Sequence, residues 1–93
     1  MIIITSPKFP LGRLVMTPGV EALLSPPEIQ EMVLRHANGD WGDLCEEDRE
    51  SNEEALREGN RLMSSYKSRD GEAVWVITEW DRSATTLLLP EEY

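Results

Sequence analysis

The stretch RLMSSYKSRDGEAVWVITEWDRSATTLLLP, Arg61 to Pro90, decides the fold. It holds three short runs rich in β-branched and aromatic residues, separated by two turn signals. Asp70-Gly71 has the composition of a two-residue type I′ hairpin loop. Asp81-Arg82-Ser83 reads as a second, three-residue turn. The three runs, Arg61–Ser68, Ala73–Trp80 and Ala84–Pro90, therefore predict an antiparallel meander. A two-residue first loop places Tyr66 opposite Trp75 and Ser64 opposite Ile77. A three-residue second turn places Ile77 opposite Leu87 and Trp75 opposite Leu89. One face then carries Leu62, Tyr66, Trp75, Ile77, Leu87 and Leu89, enough for a core. The other carries Met63, Val74, Val76, Trp80 and Leu88, too apolar for plain exposure, and is expected to be an interface.

Upstream, the periodicity changes from two to that of a helix. In SPPE, Ser25 is an N-cap, Pro26 takes the first helical position and Glu28 completes a capping box. Leu24 and Ile29 form a hydrophobic staple. Ile29, Met32, Val33 and Ala37 follow at helical spacing, and Asn38-Gly39 ends the helix. Before it, Leu11–Thr17 reads as a strand, and Thr17-Pro18 opens a short helix with Val20, Leu23 and Leu24. After it, Asp43 with Glu46 reads as a second capping box, opening a helix that Gly59 stops. Residues 1–10 read as an N-terminal arm or edge strand, and 11–93 as a single α+β domain. The expected architecture is two to three helices packed on one face of an antiparallel β-meander of three to four strands.

Ninety-three residues suffice for one modest core. Of the net charge of −9, the segment Asp43–Gly59 supplies −6, from eight acids against two arginines. No basic patch marks a direct nucleic-acid binder. Cys45 is alone, so no internal disulfide is expected, and MIII lacks the basic flank and the length of a signal or membrane span. These features imply a cytoplasmic chain with no membrane contact. No ligand spacing implies a metal or cofactor.

The run DWGDLCEEDRESN, with the ending VITEWDRSATTLLLPEEY, resembles a family of small uncharacterised bacterial proteins of plasmids and integrative elements, often labelled plasmid-related protein. The resemblance spans about Leu11 to Tyr93. It implies a mobile-element setting and transfers no activity or catalytic residue.

On a helix, Glu46, Glu50, Glu54 and Glu58 fall in one row, about 6 Å apart along the axis. Each like-charge pair costs roughly 0.2–0.5 kcal/mol, so a folded domain tolerates the row as a solvated face without a function. The functional reading is a surface for a basic, nucleic-acid-binding protein, with the carboxylates standing in for phosphates. In the mobile-element setting that becomes a non-enzymatic antagonist of CRISPR or restriction machinery. Asp48 and Asn52 fall on the inner side of the same helix, as a buried polar pair or a pocket lining. Trp41, in GDWGD, is expected to plug the core or to anchor a partner. Two rival readings are an accessory homodimer joined through the apolar sheet face, and a small enzyme built on Asp48, His36 and Arg82. His36, at the margin of its apolar stripe, is expected at the surface. Cys45 is expected to be inert among the acids that follow it.

Overall fold

A computed structural model describes residues 7–93. The Met1–Ser6 part of the expected arm lies outside the described residues. The elements are β1 (Arg13–Met16), α1 (Pro18–Leu23), α2 (Pro26–Ala37), α3 (Glu46–Glu58), β2 (Leu62–Lys67), β3 (Ala73–Thr78) and β4 (Ala84–Leu88), closed by a 3-10 turn at Pro90–Glu92. The fold is α+β. The sheet order is β1-β4-β3-β2. β2, β3 and β4 form the antiparallel meander. β1 joins it parallel to β4, so the sheet is mixed where an antiparallel one was expected. A parallel neighbour needs a long crossover. Here all three helices lie between β1 and β2, so the crossover is built into the element order. No helix among the described residues is long and apolar enough to cross a membrane.

Each hairpin loop is one residue longer than its local sequence implies. Ser68 N–H donates to Glu72 O at 2.8 Å and Gly71 N–H to Ser68 O at 2.9 Å, leaving a three-residue loop with Gly71 at φ 84°. That is a type I turn followed by a left-handed glycine, not a type I′ pair. At the second turn Glu79 N–H donates to Ala84 O at 3.0 Å, so the loop holds four residues. Tyr66 therefore faces Val74, and Val76 faces both Ser64 and Leu87. Slipping by one residue against both neighbours turns β3 over and leaves β2 and β4 as expected. The pattern AVWVIT permits this because it is apolar on both faces.

The consequence falls on the expected interface. Val74 and Val76 are fully buried in the core, and Trp75 and Ile77 take their place on the second face. The core cluster joins Val20, Leu24, Met32 and Val33 to Tyr66, Val74, Val76 and Leu87. Leu88 stays on the second face but is also buried, and Met63 is half-buried. The segment after β4 folds back there: the Tyr93 ring meets Trp75 edge-on at 5.8 Å, and Arg61 donates to the Tyr93 hydroxyl at 2.8 Å. Of the expected interface residues only Trp80, 67 % exposed at the β3–β4 turn, stands in solvent.

α2 starts as its sequence implies: Ser25 N–H donates to Glu28 Oε1 at 3.0 Å, and Leu24 and Ile29 pack together in the core. The other Glu28 oxygen accepts Arg69 N–H at 3.2 Å, tying the helix start to the β2–β3 loop. Residues 7–10 form no strand, and Phe9 is buried beside Ala55 and Leu62, so the core reaches back beyond Leu11.

Candidate functional site

α3 begins at Glu46 with Cys45 at its N-cap, two residues later than the expected cap at Asp43. Asp43 lies at a bend before the helix. Its N–H donates to Ser65 O at 2.7 Å, while Ser65 N–H donates to Trp41 O at 3.1 Å. This short bridge to the β2 edge requires Gly42, at φ 74°: a Cβ there would stand 2.0 Å from Ser65 O. The helix then runs with Glu46, Glu47 and Asp48 in its first turn, where acids suit the macrodipole. Gly59 closes it.

Glu46, Glu50, Glu54 and Glu58 are all exposed. Among the described residues the single ion pair is Arg35–Asp40 at 2.7 Å, so no glutamate of the row is held in an ion pair. Arg49 turns instead to the backbone and donates to Gly42 O at 3.1 Å. An open groove of about 560 Å³ runs along this side of α3. It is lined by Glu46, Glu50 and Glu54 of the row, with Glu53, the two helix arginines and Trp41. Glu58 lies beyond it. Trp41 is only 4 % exposed; its ring stacks on Phe9 at 6.3 Å and its indole N–H donates to Glu53 Oε2 at 2.7 Å. It plugs the core and borders the groove, and is not a projecting anchor.

Asp48 and Asn52 do not form a pair. Asp48 is exposed, one helical turn before Asn52, where the buried side of α3 begins. Asn52 is buried, its amide donating to Met63 O at 2.6 Å and its oxygen accepting Met63 N–H at 3.1 Å. The side chain thus acts as a strand partner for the outer edge of β2. These two hydrogen bonds offset the desolvation of the buried amide.

His36 is fully buried, not at the surface. It centres a chain of polar side chains. His36 Nδ1 lies 2.5 Å from Ser64 Oγ, and Nε2 lies 2.9 Å from Thr78 Oγ1. Thr78 Oγ1 is 2.7 Å from Thr85 Oγ1, and Thr85 donates to Leu11 O at 2.7 Å. The final carbonyl sets the direction of every proton. Thr85 has one hydrogen and gives it to Leu11 O, so Thr78 must donate to Thr85. Thr78 then accepts from His36 Nε2–H, and bare Nδ1 accepts from Ser64. The ring is neutral, and burial, with the nearby Arg82 charge, pushes its pKa down to about 4. Burial also raises the Tyr66 phenol, whose hydroxyl donates to Asp40 O at 2.5 Å.

Arg82, with φ 60°, closes the β3–β4 turn. Its guanidinium donates to the carbonyls of Asn60 at 2.7 Å, Glu79 at 3.0 Å and Ala55 at 3.4 Å, and sits 5.7 Å from the Phe9 ring centre. Asp48 lies seven residues before Ala55, about 10 Å along the helix axis. Of the three residues of the enzyme reading, Asp48 therefore stands apart in solvent, while His36, sealed in the core, and Arg82, at the far end of α3, flank the Phe9 ring. Among the described residues no three His, Cys, Asp or Glu side chains are placed to hold a metal. A hydroxyl-rich inner sheet face, Ser64, Thr78 and Thr85, was the available signal for the buried histidine, but it emerges only once the register is known. The chain matches no family model, no curated protein and no solved structure.

Proposed function

We propose that the chain is a non-enzymatic acidic binding factor whose α3 row, Glu46, Glu50, Glu54 and Glu58, engages a basic nucleic-acid-binding protein. In the mobile-element setting that the sequence resemblance implies, the partner belongs to a host defence system of the CRISPR or restriction type. The observation that carries the reading is the exposed carboxylate row, free of ion pairs and bordering an open groove. Its spacing of about 6 Å is close to two phosphate steps of a nucleic-acid strand, about 3.4 Å each along the axis. The two helix arginines, three residues after Glu46 and Glu54, line the same groove yet form no ion pair with the row. Arg49 is committed to Gly42 O.

The test is competition for DNA. Purified restriction and CRISPR effector proteins are bound to labelled DNA and titrated with the wild-type chain. A variant with Glu46, Glu50, Glu54 and Glu58 all changed to Gln runs in parallel. The reading expects displacement of DNA by the wild type, weakened strongly by added salt because exposed charges are screened over about 8–10 Å, and lost in the variant. No displacement by the wild type, or equal displacement by the variant, overturns it.

A further inference from the structure

The two edges of the sheet are treated differently. On β2 the outward backbone groups are occupied: Met63 by the Asn52 amide, Ser65 by Trp41 O and Asp43 N–H. Lys67 follows, a charge of the kind that blunts an edge. β1 has no such cover among the described residues. Arg13 N–H and Thr17 N–H donate inward to Ser83 O and Leu87 O at 3.0 and 3.1 Å. By alternation, the N–H and C=O of Leu14 and Met16 point away from β4. Their side chains are 51 % and 38 % exposed, and the strand carries no proline or acid.

We propose that the open β1 edge pairs antiparallel with β1 of a second copy of this chain, joining two sheets into one of eight strands. The choice of occupant rests on charge. α3 packs beside β2, at the opposite edge from β1, so two chains meeting through β1 keep their acidic helices at the far ends. A two-fold axis through Val15 pairs Leu14 of each chain with Met16 of the other and makes four backbone hydrogen bonds. It also sets Arg13 opposite Thr17 of the other copy. Thr17 Oγ1 donates to Glu92 Oε1 at 2.5 Å, so the Glu92 carboxylate lies at that end. The pairing brings an arginine to a glutamate twice, once at each end, and the exposed Leu14 and Met16 side chains of both copies together. Four residues per strand bury less than the roughly 1,200 Å² of a standard stable interface, so the dimer is weak and concentration-dependent.

Sedimentation of the whole chain from micromolar to millimolar concentration tests the association. The proposal expects a reversible monomer–dimer equilibrium. Leu14→Lys with Met16→Lys, both at exposed positions, should weaken it by about tenfold or more. A crosslink tests the register. Opposed Val15 residues form a non-hydrogen-bonded pair with Cα atoms about 4.5 Å apart, within disulfide range. In a Cys45→Ser background, Val15→Cys should crosslink on oxidation, whereas Leu14→Cys, offset from its own counterpart, should not. A chain that stays monomeric throughout overturns the proposal. So does a dimer that keeps its affinity in the double Lys variant, or one in which Val15→Cys fails to crosslink.

Discussion

Lowering the pH should destabilise the protein through His36 before its carboxylates are involved. The ring has an ordinary value of 6.5 and is held at about 4 in the fold, chiefly by burial and secondly by the Arg82 charge. The unfolded chain therefore takes up a proton near pH 6.5 and the folded chain only near 4. Stability is complete above the unfolded value, declines as pH falls through this window, and levels off below the folded value. At 1.36 kcal/mol per pH unit, the window of about 2.5 pH units corresponds to a loss of about 3 kcal/mol, a large share of a small domain's total. Four carboxyls, Glu28, Asp40, Asp81 and Glu92, are held below their ordinary values by hydrogen bonds, so their contributions fade at lower pH. The assay is urea unfolding across the window, wild type beside His36→Gln, which can hydrogen-bond but does not titrate. The variant should be less stable at neutral pH and lack the decline between about pH 6.5 and 5. Identical slopes for the two chains, or an imidazole NMR titration near 6.5 in the native wild type, would refute the buried neutral ring.

Asn52→Ala should cost about 1–3 kcal/mol, because it strands both backbone groups of Met63, and should speed hydrogen exchange at the Met63 amide. Gly42→Ala should cost about 2 kcal/mol or more in chemical unfolding, since a side chain at this positive φ collides with Ser65 O. Asp48→Asn should leave stability within about 1 kcal/mol by the same measurement, since the exposed side chain has only its favourable place in the first turn of α3 to lose. Glu50→Gln with Glu54→Gln should raise the melting temperature slightly at low salt, by relieving like-charge pairs worth about 0.2–0.5 kcal/mol each, and the gain should vanish as salt is added.

Local signals in the chain were reliable where the physics is local. Ser25-Pro26 with Glu28 places the start of α2 because every partner lies within one turn. The meander and its order are equally readable from three β-rich runs. Register is not, because Asp70-Gly71 suits both a two-residue and a three-residue loop, and β3 is apolar on both faces. One residue of loop length then decides whether Val76 or Ile77 enters the core. The parallel seat of β1 beside β4 has no local signature; its partner lies about seventy residues away in the sequence. The same distance hides His36, whose hydroxyl partners Ser64 and Thr78 are 28 and 42 positions downstream. The acidic row was legible by spacing alone, since exposed side chains depend on little beyond their own helix. Its neighbour Asp48 was misplaced because the polar α3 touches the sheet only near its middle and end.

The amide of Asn52 does more than satisfy β2. A sheet with two adhesive sides can add molecules without limit, whereas one with a single adhesive side is used up by its first partner. By occupying the outer side of β2, this amide, the Trp41–Asp43 bridge to Ser65 and the charge of Lys67 together make any stacking of these chains side by side self-terminating at a pair. Only the loss of all three would give the molecule a second sticky margin, and with it a route from a closed pair to an open-ended fibre.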